Sequence, residues 1–221
     1  MKRNYQKELD KMIEHLGNQD QAPRLLLHSC CAPCSSYVLE YLSRYFQITV
    51  LYYNPNIYPE EEYFKRVEEQ KHFIHQFWQN VSGAADQKSY FKIEFLEGKY
   101  ETDRFYQMAQ GMEQLPEGGD RCFRCYELRL REAAKYAREL GMDYFTTTLS
   151  ISPLKNAEKL NEIGEMLAEE YGVSYLVSDF KKRDGYKRSA ELSREYNMYR
   201  QDYCGCVFSM EERQKNKENK E

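Results

Sequence analysis

The sequence predicts a parallel, doubly wound α/β sheet with helices on both faces. Five short runs rich in aliphatic, β-branched and aromatic residues recur along the 221 residues, separated by helix-length segments. Those segments carry apolar residues at i, i+3 and i+4, so each has one face to bury. Strands alternating with such helices form parallel sheets whose ligands sit beyond the carboxyl ends of the strands.

Tyr5, Leu9, Met12, Ile13 and Leu16 share a helical face, and Gly17 is expected to end that helix. Arg24 to His28 reads as a buried strand, followed by a cysteine loop broken by Pro33 and a helix carrying Tyr37, Val38, Tyr41, Leu42 and Tyr45. Ile48 to Tyr53 is a second strand, followed by the loop from Asn54 to Pro59 and a helix with Tyr63, Phe64, Val67, Ile74, Phe77 and Trp78. Phe91 to Leu96 alternates apolar and charged residues, as a half-buried or edge strand does. After the Pro116 to Gly119 loop, Tyr126, Leu130, Ala133, Ala134, Ala137 and Leu140 mark a helix ended by Gly141. Tyr144 to Leu149 and Val173 to Phe180 are the last strands, flanking a helix with Ala157, Leu160, Ile163, Leu167 and Tyr171. We expect a single α/β domain over 1–210, with an N-terminal helix in 1–23 and a basic, aromatic helical segment over 181–210. The charged tail, 211–221, is expected to be disordered.

Lys and Arg number 32 against 36 Asp and Glu, a net charge of −4, which rules out a globally basic nucleic-acid coat. Positive charge is instead local: from Lys181 to Arg200, seven basic residues face three acidic ones. With strongly negative mean hydropathy and no long apolar run, neither a membrane span nor a signal peptide is expected, so a cytoplasmic setting is.

All seven cysteines fall in three motifs: Cys30-Cys31-Ala32-Pro33-Cys34, Cys122-Phe123-Arg124-Cys125 and Cys204-Gly205-Cys206. In a reducing compartment, thiols clustered in this way point to metal or redox chemistry rather than to disulfides. The first motif follows a strand and the second opens a helix, so both can project from one loop face. Zinc and iron-sulfur clusters both accept four thiolates. Successive side chains usually diverge, which makes adjacent Cys30 and Cys31 awkward for one tetrahedral ion and better suited to two corners of a cube. Cys204 and Cys206 are too close in sequence for a relaxed disulfide, so they read either as a redox dithiol or as two more ligands. Cys34 either binds a second metal or shapes its loop.

These motifs, taken with Tyr53 to Pro59 continuing to Glu62, Tyr63 and Arg66, resemble the QueH-type epoxyqueuosine reductases. Thr146 to Pro153 with Lys155, Asp184-Gly185-Tyr186 with Ser189, and Tyr203 to Cys206 complete the pattern, which runs from about residue 24 to 209. The resemblance implies a Rossmann-like sheet of the PP-loop and HUP kind. It also implies reduction of epoxyqueuosine to queuosine at the wobble base of tRNA, with a 4Fe-4S cluster. By matching motifs, Cys30, Cys31, Cys122 and Cys125 would be its ligands and Cys204 and Cys206 a redox-active pair. Some members carry an aspartate where this chain has Cys34, with an additional iron beside the cluster.

Removing an epoxide oxygen as water takes two electrons and two protons, and no nicotinamide or flavin glycine motif is visible to supply hydride. Electrons would therefore come through metal and sulfur from an external donor, with Asp184 and Tyr186 as candidate proton donors. Arg188, Arg194 and Arg200 interleave with Tyr196, Tyr199 and Tyr203, the residue types that hold an RNA loop by phosphate contact and base stacking. Thr146 to Thr148, Ser150, Ser152 and Lys155 suit phosphate or ribose contact, or helix capping. His28 reads as structural, and His72 with His75 as a surface pair. Two alternatives remain: a zinc-stapled RNA-binding module, and an iron-sulfur-dependent tRNA thiolase. The thiolase needs a glycine-rich phosphate loop where this chain has Cys30 to Ser36, without glycine.

Overall fold

The structure is a computed structural model that describes residues 3–16, 21–83 and 90–218. Gly17, expected to end the first helix, lies outside the described residues. Five parallel strands, β1 (Arg24–His28), β2 (Gln47–Tyr52), β3 (Glu94–Glu97), β4 (Tyr144–Thr147) and β5 (Ser174–Tyr175), form one sheet in the order β3-β2-β1-β4-β5. The chain winds outward from β1 in one direction and then, from β4, in the other. The crevice between β1 and β4 is thus the place where a doubly wound sheet opens to a ligand.

Successive side chains of β1 point to opposite faces, and the core divides accordingly. Leu25 and Leu27 pack with Ile48 and Val50 beneath α1 (Tyr5–Leu16), α2 (Ala32–Leu42) and α3 (Glu60–Ser82). Leu26, Leu51 and Phe145 pack on the other face against α5 (Asp120–Glu139) and α6 (Ala157–Tyr171). Among the described residues, no helix is long and apolar enough to cross a membrane.

Three features depart from the sequence expectation. The last strand is two residues long rather than eight: beyond it Thr146 Oγ1 donates to Leu176 O, and the chain is then held at Ser178 by Asn161. Its Oδ1 accepts from Ser178 N and its Nδ2 donates to Ser178 O, both at 2.8 Å. A short helix, α4 (Thr102–Ala109), lies where no element was expected. The charged tail expected to be disordered is helical as far as it is described, in α8 (Val207–Glu218). Arg213 and Lys217, one turn apart, both pair with Asp202, at 2.7 and 3.2 Å, and Glu212 accepts from the Glu117 amide. The basic segment before it contains α7 (Gly185–Glu195), which starts at a contact only glycine permits. A Cβ at Gly185 would lie 1.9 Å from Phe180 O and 2.6 Å from the Tyr37 ring.

Candidate active site and thiol centres

Register places the ends of β1 and β4 side by side, His28 opposite Thr147. His28 is fully buried and bridges Thr147 Oγ1 (2.8 Å) and the carbonyl of Tyr53 (3.1 Å), and burial pushes its imidazole down to about 3. It is a neutral fastener of the strand ends, as the sequence implied. The cysteine loop starts two residues later.

The chain bends at Cys30, is extended at Cys31, and enters α2 at Ala32. This change of direction brings Cys30 Sγ and Cys31 Sγ to 3.9 Å, and the Cys34 sulfur joins them so that all three lie within 4.8 Å of one another. The expected divergence of the adjacent pair is therefore overturned, since it presumes an unbroken extended backbone. A tetrahedral ion with sulfur at about 2.3 Å needs sulfurs about 3.8 Å apart, so this triad can hold a single metal ion. Gln201 Nε2 donates to Cys31 Sγ at 2.9 Å. Hydrogen bonds from Cys30 and Cys34, the charge of buried Arg66 and the Gln201 amide together hold the Cys31 thiol well below the usual cysteine range. Hydrogen bonding to Cys30 and Cys31, together with burial, holds Cys34 well above it. Arg66 is also anchored by Glu62 at 2.7 Å and by the carbonyl of Cys204.

The other four cysteines form a second group. Cys122, Cys125, Cys204 and Cys206 line one narrow cavity with Asn56, Tyr126, Arg129 and Lys155. Cys122 and Cys125 occupy the first turns of α5, where Cys122 Sγ accepts from Gly118 N at 3.2 Å. Burial raises both thiols and pushes Cys206 up to about 12. Gly205, at φ +122°, makes the reversal that turns Cys204 and Cys206 toward the α5 pair. Lys155, 8% exposed, donates to Cys204 Sγ at 2.9 Å and to Glu117 at 3.1 Å. It was expected near phosphate or ribose, and its ammonium instead faces sulfur. Burial would lower that ammonium, but the charges of Cys204, Tyr126 and Glu117 outweigh burial and hold it well above its usual range.

Cys30 and Cys31 group with Cys34, and the α5 pair groups with Cys204 and Cys206. Cys204, Lys155 and Arg129 border both the narrow cavity and a wider one of about 520 Å³ that contains Cys30 and Cys34.

Tyr186 lines the wide cavity, with Arg200, Gln201 and Tyr203 from the segment after α7 and Arg213 and Lys217 from α8. Asp184 does not; it is exposed at the start of α7. Nor do Arg188, Arg194, Tyr196 and Tyr199, expected to touch substrate. Arg188 is held by Glu40, Glu191 and Glu195. Tyr196 accepts from Asn80 and packs edge-on against Phe73, and Tyr199 bonds to the Glu62 carboxylate. Arg194 is exposed elsewhere on α7. The pairing of side chains in this segment decides which of them remain available to the cavity. Arg129 and Asn56 escaped notice, although Cys122, Cys125 and Arg129 at i, i+3 and i+7 share a helix face. His72 and His75 are exposed on α3.

A family model described as Epoxyqueuosine reductase QueH matches residues 25–212, a span that contains both thiol groups and the wide cavity's lining from Cys30 to Glu212. The chain belongs to the QueH family. A protein of that name from Staphylococcus epidermidis is 45% identical over 208 residues, covering 93% of this chain and 84% of its own. One from Streptococcus pyogenes is 41% identical over 206 residues, 93% of this chain and 78% of its own. The Thermotoga maritima protein of the same name is 36% identical over 196 residues, 86% and 91% respectively. QueH membership favours neither the zinc-stapled module nor the thiolase.

Proposed function

We propose that this chain reduces the epoxide of epoxyqueuosine, at the wobble base of tRNA in the cytoplasm, to the alkene of queuosine. The observation that carries this reading is the gathering of all seven cysteines into two adjacent groups beneath a cavity of about 520 Å³ at the switch point of the sheet.

Two properties of the narrow cavity suit a 4Fe-4S cluster there. Its donor set is four thiols, and three of its walls carry buried hydrogen-bond donors without partners: Asn56 Nδ2, Tyr126 Oη and Arg129 Nη2. An occupant rich in sulfur would satisfy such atoms. The free space of this cavity is about 10 Å³, so its walls must part to seat the cluster. In this reading Cys122, Cys125, Cys204 and Cys206 hold the cluster, leaving no free dithiol, and Cys30, Cys31 and Cys34 hold a single additional iron. Groups so held supply electrons one at a time and a Lewis-acidic site for oxygen.

The chain's own residues do the rest. Tyr203 and Tyr186 offer rings to a splayed-out base, and Arg200, which is exposed and has no carboxylate partner among the described residues, faces the RNA backbone. Lys155 keeps a positive charge against Cys204 at the floor of the cavity. Tyr186 is the better placed of the two expected proton donors, because Asp184 lies off the cavity. The reaction takes two electrons from an external one-electron donor and two protons, and returns water. The test is anaerobic reconstitution with iron and sulfide, then dithionite and tRNA bearing epoxyqueuosine. Loss of one oxygen from the nucleoside by mass supports the reading, and an unchanged nucleoside with fully loaded protein rejects it.

A further inference from the structure

Arg129 lies on α5, one turn beyond Cys125, and is 1% exposed. Its Nε donates to the carbonyl of Cys125 at 3.4 Å and its Nη1 to Asn54 Oδ1 at 3.3 Å, while Nη2 meets no partner. Among the described residues no carboxylate pairs with it. Of the other cations buried here, Arg66 has Glu62, Lys155 has Glu117, and Arg121 is answered by the carbonyls of Met112, Glu113 and Leu115. A guanidinium taken out of water without a counter-ion is costly and persists only where something else answers its charge. What surrounds Arg129 is sulfur. It lines both cavities, and the charges of Cys125, Cys204 and Cys30 act on it and oppose the cost of burial.

We propose that Arg129 is the counter-charge of the sulfur-held redox centre and that it raises the centre's reduction potential by stabilising the form that has gained an electron. A fixed positive charge in a low-dielectric site favours the more negative redox state, and net charge together with hydrogen bonds to sulfur sets iron-sulfur potentials. The unpartnered Nη2 is a free donor for such a bond. Arg129 acts through the centre and does not touch the substrate in this role, so its replacement changes the potential whether or not tRNA is present. The inference rests on the thiols holding iron, as proposed above.

The experiment is a mediated dithionite titration of the iron-loaded protein, followed by electron paramagnetic resonance, on the parent chain and on R129Q, R129K and N56D. R129Q should favour the oxidised form about tenfold at a fixed potential, equivalent to a downward shift of about 59 mV for a one-electron couple. R129K keeps the charge and should shift by less than half as much. N56D leaves the guanidinium in place but sets a carboxylate in the same cavity, and should move the potential in the same direction as R129Q. An unmoved potential in R129Q, or R129K moving as far as R129Q, overturns the role of Arg129. Should R129Q fail to fold or load, R129K decides, and a shift of about 59 mV with the charge retained overturns it. A parent chain that takes up no iron removes the underlying reading, whereas iron taken up with unmoved potentials removes only the role of Arg129.

Discussion

Replacing Gly205 with alanine strains the backbone between Cys204 and Cys206. At φ +122° an L-residue is strained by about 1–3 kcal/mol. The new Cβ would also lie 3.0 Å from Arg66 Nη1 and 3.1 Å from Ile57 Cγ1. Neither neighbour yields easily: Ile57 is buried, and Arg66 is held by Glu62 at 2.7 Å and by the Cys204 carbonyl. Adding part of an overpacking cost of about 1–3 kcal/mol gives a total near 3 kcal/mol. If the loop relieves that strain by turning its sulfurs away from Cys122 and Cys125, iron affinity falls about 100-fold, at 1.4 kcal/mol per tenfold. Competition with a graded iron chelator under anaerobic conditions measures this. Gly111→Ala is the control, since Gly111 also has positive φ (+79°) but nothing within 4 Å of its would-be Cβ, so it should lose about 1–2 kcal/mol of stability with iron retention intact. Gly205→Ala holding iron against chelator as the parent does would refute the reasoning.

Three further outcomes are expected. Cys34→Asp should retain the additional iron, because a carboxylate oxygen can replace the third sulfur of the triad, whereas Cys34→Ala should lose one iron per chain; equal metal content in the two variants would contradict the triad as a metal site. Arg200→Glu should weaken tRNA binding and reduce the slope of log affinity against log salt by about one, and an unchanged slope would exclude a phosphate contact. Asn161→Leu leaves Ser178 N and O buried without partners and should cost about 2–4 kcal/mol in denaturant unfolding, with a loss below about 1 kcal/mol counting against Asn161 as the anchor of Ser178.

Periodicity was sufficient for the strands and helices around the site, because burial on a sheet or under a helix face leaves its mark every second or every third to fourth residue. Arg24 to His28 and the helices after Ala32, Glu60 and Asp120 were legible in this way. The end of β5 was not, since the backbone beyond it is held by the side chains of Thr146 and Asn161 from other elements. The α8 helix was missed for a related reason: its charges looked solvated because Asp202, which anchors two of them, is not on the same element.

By itself the sequence determined that seven thiols lie in three motifs and that the first two can project from the loop face of a parallel sheet, because one is local to a strand end and the other to a helix start. Only the tertiary structure decided how those thiols divide, three around Cys31 and four around the start of α5, with Arg129 between them. That partition depends on where the chain bends at Cys30, reverses at Gly205 and returns to the sheet from residues far along the chain. Contacts between distant segments are set by packing, which no single run of residues encodes.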